Sequence, residues 1–440
     1  MNNQKMDGDS LGGIMAASLA APCSVSAAEK TTLTFWHAMG GTNGEVLQQI
    51  VDDFNASQDE IEIKAEYQGT YDDTITKLKA AMQSDSGLPD VCQMYDVGTK
   101  FMYDSGAVIP VEDKFESTGY DKSSVMEVIS SYYTVDGKQY AMPFNVSTPM
   151  LYYNKDVFEA AGLDPETPPT TYDEVLEDAK KIVESGAAPV GYSQAIYGWF
   201  FEQQLAGLGV TYGNNDNGRK EAVTAVDFDS NGGGLKVFDM WKKLYDSGYF
   251  EDYGTTTADT QTAFFSGQVG MIIESTAILK NAVDSSPFEV GTGYLPRIEQ
   301  NDEGGVIIGG GSLWLTDTGN EANEDAAWKF IEYITTPDVQ AKWSMGTGYF
   351  AINEKAYETE DMKAYLKENP NFETAINQLK DSPVNCNTAG VLSGVQTEAR
   401  LTFNEIMPQV YDGKLTTQDA VDQLAASVNK AIENYNESIK

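Results

Sequence analysis

From Leu33 to Tyr95 the hydrophobic pattern switches repeatedly between the two-residue period of a strand and the longer period of a helix, and this alternation restricts the fold. Leu33-Thr34-Phe35-Trp36 alternates and runs into His37-Ala38-Met39-Gly40-Gly41, after which Val46, Leu47, Ile50, Val51 and Phe54 recur at helical spacing. Ile61, Ile63, Ala65 and Tyr67 alternate with Glu62, Lys64 and Glu66, which predicts a second strand. A helix is expected from about Asp72 to Ser84, then a third strand over Asp90–Tyr95. Units of this kind joined by connections of this length build a largely parallel sheet covered by helices. Ligands of such sheets collect beyond the carboxyl ends of the strands, here Trp36–Thr42, Tyr67–Tyr71 and Tyr95–Thr99.

A chain of 440 residues is too long for one core, so two lobes and a cleft between them are expected. The segment Ala141–Asp156 suits a crossing between them. Pro143 and Pro149 each push the preceding residue toward extended geometry, and Asn145, Ser147 and Thr148 supply hydrogen-bonding groups between them. An ordinary edge strand with proline at its ends is the alternative. Beyond it, Thr171-Tyr172-Asp173-Glu174 is a capping-box start for a helix toward Glu184, and a second α/β lobe begins there. Gly191–Phe201 is an aromatic-rich strand-to-helix connection. Phe264–Thr276 reads as helix end, glycine stop, buried strand and polar loop, and Val306–Leu315 as a strand interrupted by glycines. The remainder, Asn320–Lys440, is mainly helical.

Charge and cysteine usage remove several functions. With 67 acids against 29 bases the net charge is −38, which excludes nucleic acid and anionic membrane surfaces as partners but leaves a local cluster of donors free to hold an anion. Cys23, Cys92 and Cys386 form neither a disulfide framework nor a zinc site, and His37 is the only histidine, so no metal and no cofactor is expected. At the front, the apolar run Leu11–Ala21 and the small-residue pattern Val25-Ser26-Ala27 read as an export signal over 1–28, unusual in that Lys5 is accompanied by Asp7 and Asp9. Pro22 stands where a lipoprotein signal wants a small residue, so a soluble exported form is the expectation and a lipid anchor at Cys23 the alternative. Nothing after residue 30 approaches the roughly 18 apolar residues of a membrane span.

Several stretches carry recognition chemistry. In Tyr95-Asp96-Val97-Gly98-Thr99 a carboxylate follows a strand, where it can accept hydrogen bonds from ligand hydroxyls or simply cap a helix. Gly309-Gly310-Gly311-Ser312 lets a ligand or another chain approach the backbone, or forms a packing bulge; no Gly-Lys-Ser/Thr follows, so it is not a phosphate loop. Trp36, Tyr67, Tyr71, Tyr95, Tyr197, Trp199 and Tyr349 fall at loops or strand ends, where flat faces suit sugars and polyols, while part of the set is core. Asp227–Gly232 copies half of an EF-hand loop, but Phe238 stands at the twelfth position, so a strand-to-helix turn is the reading. His37 has no Gly-x-Ser-x-Gly partner, which leaves catalytic residues unassigned.

Taken together and in order, Phe35–Met39, Tyr67–Tyr71, Tyr95–Thr99, Pro143–Asp156, Ala161–Pro165, Ile307–Trp314 and Thr347–Tyr349 resemble the extracellular solute-binding proteins of ABC importers, in the carbohydrate group and nearest its glycerol-3-phosphate-binding members. The resemblance implies a two-lobe periplasmic-binding-protein fold, each lobe a mainly parallel sheet flanked by helices, with interlobe hinge crossings. Lobe one would span 29–145 and 304–346, and lobe two 146–303 and 347–440. The family's ligand contacts fall on Tyr71, Asp96, Ser147, Trp199, Ser275, Gly310 and Tyr349, with Trp36 and Thr276 as neighbours. Asp96 replaces a glutamate, Ile196 a pocket tryptophan, and Leu392 an arginine associated with phosphate. Arg400 is the nearest remaining cation, on a helix where a surface salt bridge is the alternative. The implied protein is a periplasmic or cell-surface receptor, monomeric and without catalysis, that delivers glycerol-3-phosphate, a glycerophosphodiester or a related small carbohydrate to the transmembrane subunits of an ABC permease. A receptor for neutral mono- or oligosaccharides is the alternative within the family. Outside it stands a carbohydrate-active hydrolase using Asp96 and Glu274.

Overall fold

The computed structural model describes residues 30–84 and 87–439, so the export signal and Cys23 lie outside the described residues. In chain order the strands are β1 (Thr31–His37), β2 (Ile61–Tyr67), β3 (Val91–Tyr95), β4 (Val108–Ile109), the hairpin β5 (Thr134–Val135) and β6 (Lys138–Gln139), β7 (Met142–Ser147), β8 (Pro149–Asn154), β9 (Val190–Ser193), β10 (Val269–Ser275), β11 (Val290–Gly293) and β12 (Gly309–Thr316). One sheet runs β2-β1-β3-β12-β4 with β7 also paired to β12, and a second runs β11-β8-β10-β9.

The helix Gly41–Ser57 turns Leu47, Ile50, Val51 and Phe54 onto the first sheet, as their spacing requires. Asn55 fixes it there, exchanging two hydrogen bonds with the backbone of Ile63 at 2.9 and 2.8 Å. The next helix, Tyr71–Met82, starts at a capping box between Thr70 and Asp73, which places Tyr71 at its first residue, on the rim of the sheet. In the second lobe the Thr171/Glu174 capping box starts Tyr172–Ser185, as the sequence predicts. The helices Gly198–Gly207, Gly233–Asp246 and Gln396–Tyr411 meet around Phe403, whose ring lies 5.6 Å from Trp241 and 5.2 Å from Phe201. Rings buried in this way stabilise the fold by about 1.5–3 kcal/mol each. Among the described residues no helix is long and apolar enough to cross a membrane.

The mainly parallel pairing expected from the sequence needs correction. β1 is parallel to β2 and β3, and β10 to β9, but β12 is antiparallel to β3, β4 and β7, and β8 to β10 and β11. The cause is the crossing of the chain between the sheets. β8 and β12 each enter their sheet from the other lobe, at the edge where the βα strands end, so they must run against those strands. Both sheets therefore turn the carboxyl ends of β1, β3, β7, β9 and β10 toward the same gap.

Candidate functional site

The crossing sits at Thr148. Ser147 is the last residue of β7, paired with Gly309 of β12, and Pro149 opposite Ser275 begins the second sheet. Thr148 and Thr276 clasp each other there: the Thr148 backbone N–H donates to Thr276 Oγ1 at 3.1 Å, and the Thr276 N–H donates to the Thr148 carbonyl at 2.8 Å. Ser275 accepts the Ala277 N–H on its hydroxyl at 3.2 Å and so caps the short turn Thr276–Ile278. Ser147 is buried beside this clasp.

Two glycines admit the neighbours of β12. Gly310 has φ +93°, and a Cβ there would meet the Asn145 carbonyl oxygen at 1.8 Å. A Cβ on Gly309 would come within 2.7 Å of the Trp199 ring. The two sequence readings of this motif, close approach and bulge, both hold: β7 and Trp199 press against the backbone, and the β7 register shifts between Gly311 and Ser312. Trp199 Nε1 is buried and has no hydrogen-bond partner among the described residues.

On the first-lobe rim Tyr71 and Tyr95 stack with ring centres 5.1 Å apart and planes 7° from parallel. Asn145 Nδ2 donates to Tyr71 Oη at 2.7 Å, and the Tyr349 hydroxyl joins the same group. Tyr349 in turn stacks on Trp343 at 5.7 Å. Burial raises the Tyr71 hydroxyl well above its ordinary pKa and raises that of Tyr349, so both stay neutral and able to donate. Tyr95 Oη lies 2.9 Å from Asp72 Oδ1 and 2.8 Å from Thr397 Oγ1, an interlobe contact.

Arg400 joins the two walls. Its Nη2 donates to Asp96 Oδ2 at 2.7 Å, while Nε and Nη2 donate to the two oxygens of Glu202 at 2.8 Å each. All three side chains are buried. Burial alone would lower the arginine's pKa, but the Asp96 and Glu202 carboxylates more than offset it and hold the guanidinium charged. The surface salt bridge entertained for Arg400 is thus replaced by a buried one, because the helix Gln396–Tyr411 turns this face inward toward Gly198, where a Cβ would strike the Arg400 Cα at 2.5 Å. Asp96 makes no capping bond; it opens the short turn Asp96–Gly98 after β3 and spends an oxygen on Arg400.

Sequence reasoning missed Glu202 and Arg219. Glu202 stands three residues after Trp199 on one helix face, a spacing that could have found it. Arg219 donates Nε to the Gly390 carbonyl at 3.0 Å and Nη1 to the Tyr132 carbonyl at 2.9 Å, and Nη2 bonds the Ala389 carbonyl. It therefore holds the backbone of the loop in which Leu392 replaces the expected arginine. Trp36 gives its Nε1 to Glu66 at 3.0 Å, and among the described residues no hydrogen bond or ring contact joins it to the Tyr71 or Arg400 groups. Glu274 is buried and uncharged partners hold it: Gln261 donates to it at 3.0 Å and the Ser275 N–H at 2.6 Å. The half EF-hand motif is a turn, with Asp227 accepting from Thr211 and its carbonyl from Ser230 and Asn231. Among the described residues no group of three metal-ligating side chains comes together.

The chain is similar to known proteins over nearly its whole length. The sn-glycerol-3-phosphate-binding periplasmic protein UgpB of Escherichia coli (strain K12) is 31% identical over 417 residues, which cover 93% of this chain and 94% of the relative. The crystal structure of UgpB from Mycobacterium tuberculosis in complex with glycerophosphocholine superposes with a TM-score of 0.79 at 20% identity, covering 93% of this chain and all of the other. The cyclic alpha-maltosyl-1,6-maltose binding protein from Arthrobacter globiformis gives a TM-score of 0.76 at 26% identity, covering 92% of this chain and 100% of that one. Residues 49–374 match the family described as bacterial extracellular solute-binding protein. The chain therefore belongs to that family of bacterial extracellular solute-binding proteins.

Proposed function

We propose that this chain is the receptor of an ABC import system and captures a polyhydroxylated solute without a phosphate monoester, a neutral sugar or a glycerol-linked compound, between its lobes. The observation that carries this reading is the state of Arg400. Two carboxylates already face one guanidinium, and although burial raises the pKa of Glu202 against the pull of Arg400, the group has no positive charge left unpaired. A phosphate dianion brought here would meet Asp96 and Glu202 in a low-dielectric space, where like charges repel most strongly. Hydroxyl groups would instead find acceptors in those carboxylates, neutral donors in Tyr71 and Tyr349, the free indole N–H of Trp199 and the backbone at Gly310. Ser147 and Ser275 flank the crossing as further hydroxyl partners, and Trp36 borders the first-lobe rim. Leu392 and Ile196, both buried, stand where the resemblance expects a cation and an indole, so neither group is supplied at those positions.

The receptor acts without changing its ligand. Asp96 is committed to Arg400, and Glu274 to Gln261 and Ser275, so neither is placed to share work on a glycosidic bond. Closure of lobe one, 29–145 and 304–346, on lobe two, 146–303 and 347–440, would present the loaded form of a monomer to the permease. The relatives named for sn-glycerol-3-phosphate favour a second reading, in which phosphate takes Arg400 away from Asp96. A thermal-shift panel separates the two. Neutral oligosaccharides or glycerol-linked compounds are expected to raise the melting temperature, by about 2.7 kcal/mol of stability at a hundred times Kd, with glycerol-3-phosphate inert. A shift by glycerol-3-phosphate alone would establish the second reading.

A further inference from the structure

The chain has three arginines, and two of them are spent: Arg400 on carboxylates and Arg219 on backbone carbonyls. The third, Arg297, is exposed, and among the described residues its side chain makes no hydrogen bond and no ion pair. It stands on the wall of a cavity of about 560 Å³ that none of the cleft residues lines. That size is within the ordinary range for small-molecule sites, roughly 300–1,000 Å³. We propose that this cavity is a second binding site, for a small carboxylate with a flat apolar body.

The walls support the choice of ligand. Pro168, Pro169, Pro296 and Val306 give rigid apolar surface, and the ring of Tyr294, 40% exposed, offers a platform. Tyr294 is held in place because its hydroxyl donates to Asp381 at 2.7 Å, which also occupies the one acid on the wall. Arg297 is set on a fixed backbone: its N–H donates to the Thr170 carbonyl and its carbonyl accepts from Tyr172, both at 2.9 Å. A guanidinium carried on this backbone can pair with a carboxylate through two parallel bonds. Gln378, on the floor, is already satisfied by Leu295, at 2.5 Å, and by Pro149, at 2.7 Å. The site therefore adjoins both Thr148 and the segment leading into β12, yet stands apart from Arg400.

The test is calorimetric titration of the full chain with naphthalene-2-carboxylate, its amide, and no cleft ligand present. Saturable one-to-one binding of the carboxylate is expected, weakened at least tenfold for the amide, for Arg297→Gln and for the cavity-filling Thr374→Trp. Trp199→Ala, which alters the cleft only, should leave it unchanged. No binding by the parent protein, full affinity in Arg297→Gln, or loss in Trp199→Ala would each overturn the proposal. Arg297 has an exposed side chain that makes no hydrogen bond or ion pair among the described residues and has the Asp302 charge near it, so its variant is expected to fold, and far-ultraviolet circular dichroism checks this.

Discussion

Arg400 and Arg219 both carry a guanidinium to a place where the two lobes meet, and they are satisfied in opposite ways. Arg400 faces Asp96 and Glu202 and is held charged by them. Arg219 faces three carbonyl oxygens and no carboxylate, and burial lowers its pKa to about 10. The first arrangement is electrostatic and collapses if either sign is removed. The second is a backbone clamp, closer in kind to a helix C-cap, which any geometry-matching donor serves. Where the sequence resemblance expects a cation for phosphate, the molecule has instead used one arginine to balance acids and another to hold the loop.

The largest effect that would test this contrast is on stability. Arg400→Met leaves Asp96 and Glu202 buried without compensation and is expected to cost about 3–5 kcal/mol in denaturant unfolding. Arg219→Met leaves carbonyls that each lose a donor, and a loss of about 1–3 kcal/mol is expected. Equal losses in the two variants would dissolve the distinction. Binding comes next: Asp96→Ala and Trp199→Ala should each weaken the true ligand at least tenfold, about 1.4 kcal/mol, while melting temperatures of the free proteins move by only a few degrees for Trp199→Ala. Unchanged affinity in both would remove the cleft as the site. Glycerol-3-phosphate separates the readings again, because Asp96→Asn removes one negative charge beside Arg400; a gain in its affinity is expected only if phosphate reaches that guanidinium.

The smallest effect concerns an acid with no cation at all. Burial raises the pKa of Glu274 above its ordinary value, the Gln261 and Ser275 hydrogen bonds opposing this only in part. The folded chain thus holds that proton more tightly than the unfolded one, so stability from this group is present below the ordinary glutamate pKa and lost as pH rises through the folded value. Glu274→Gln should flatten the pH dependence of unfolding in that window, and a parallel profile in the variant and the parent would contradict the assignment.

Much of this was legible one element at a time. Periodicity located β1, the helix behind it, β2 and β3, and the capping box at Thr171 starts its helix as read, whereas the one at Thr70 emerged only in the structure. Asp96 could be named as a strand-end carboxylate, and Arg400 as a cation on a helix. Their meeting could not be foreseen, because 304 residues separate them and the pairing depends on how the helix Gln396–Tyr411 rolls against Gly198. The antiparallel return of β12 escaped for the same reason: period gives an element and its faces, whereas direction follows from which lobe the chain has just left.

The sequence by itself determined the two α/β lobes, the proline-bounded crossing around Thr148 and the set of aromatic and polar groups near the gap, since these follow from local preferences that each short stretch carries within it. Only the tertiary structure decided how charge is distributed among them. Coulomb interactions in a buried site depend on separations of a few ångströms. Arg400 came to lie between two acids, Arg219 against carbonyls and Arg297 beside an apolar cavity because of packing between parts of the chain that no local pattern connects.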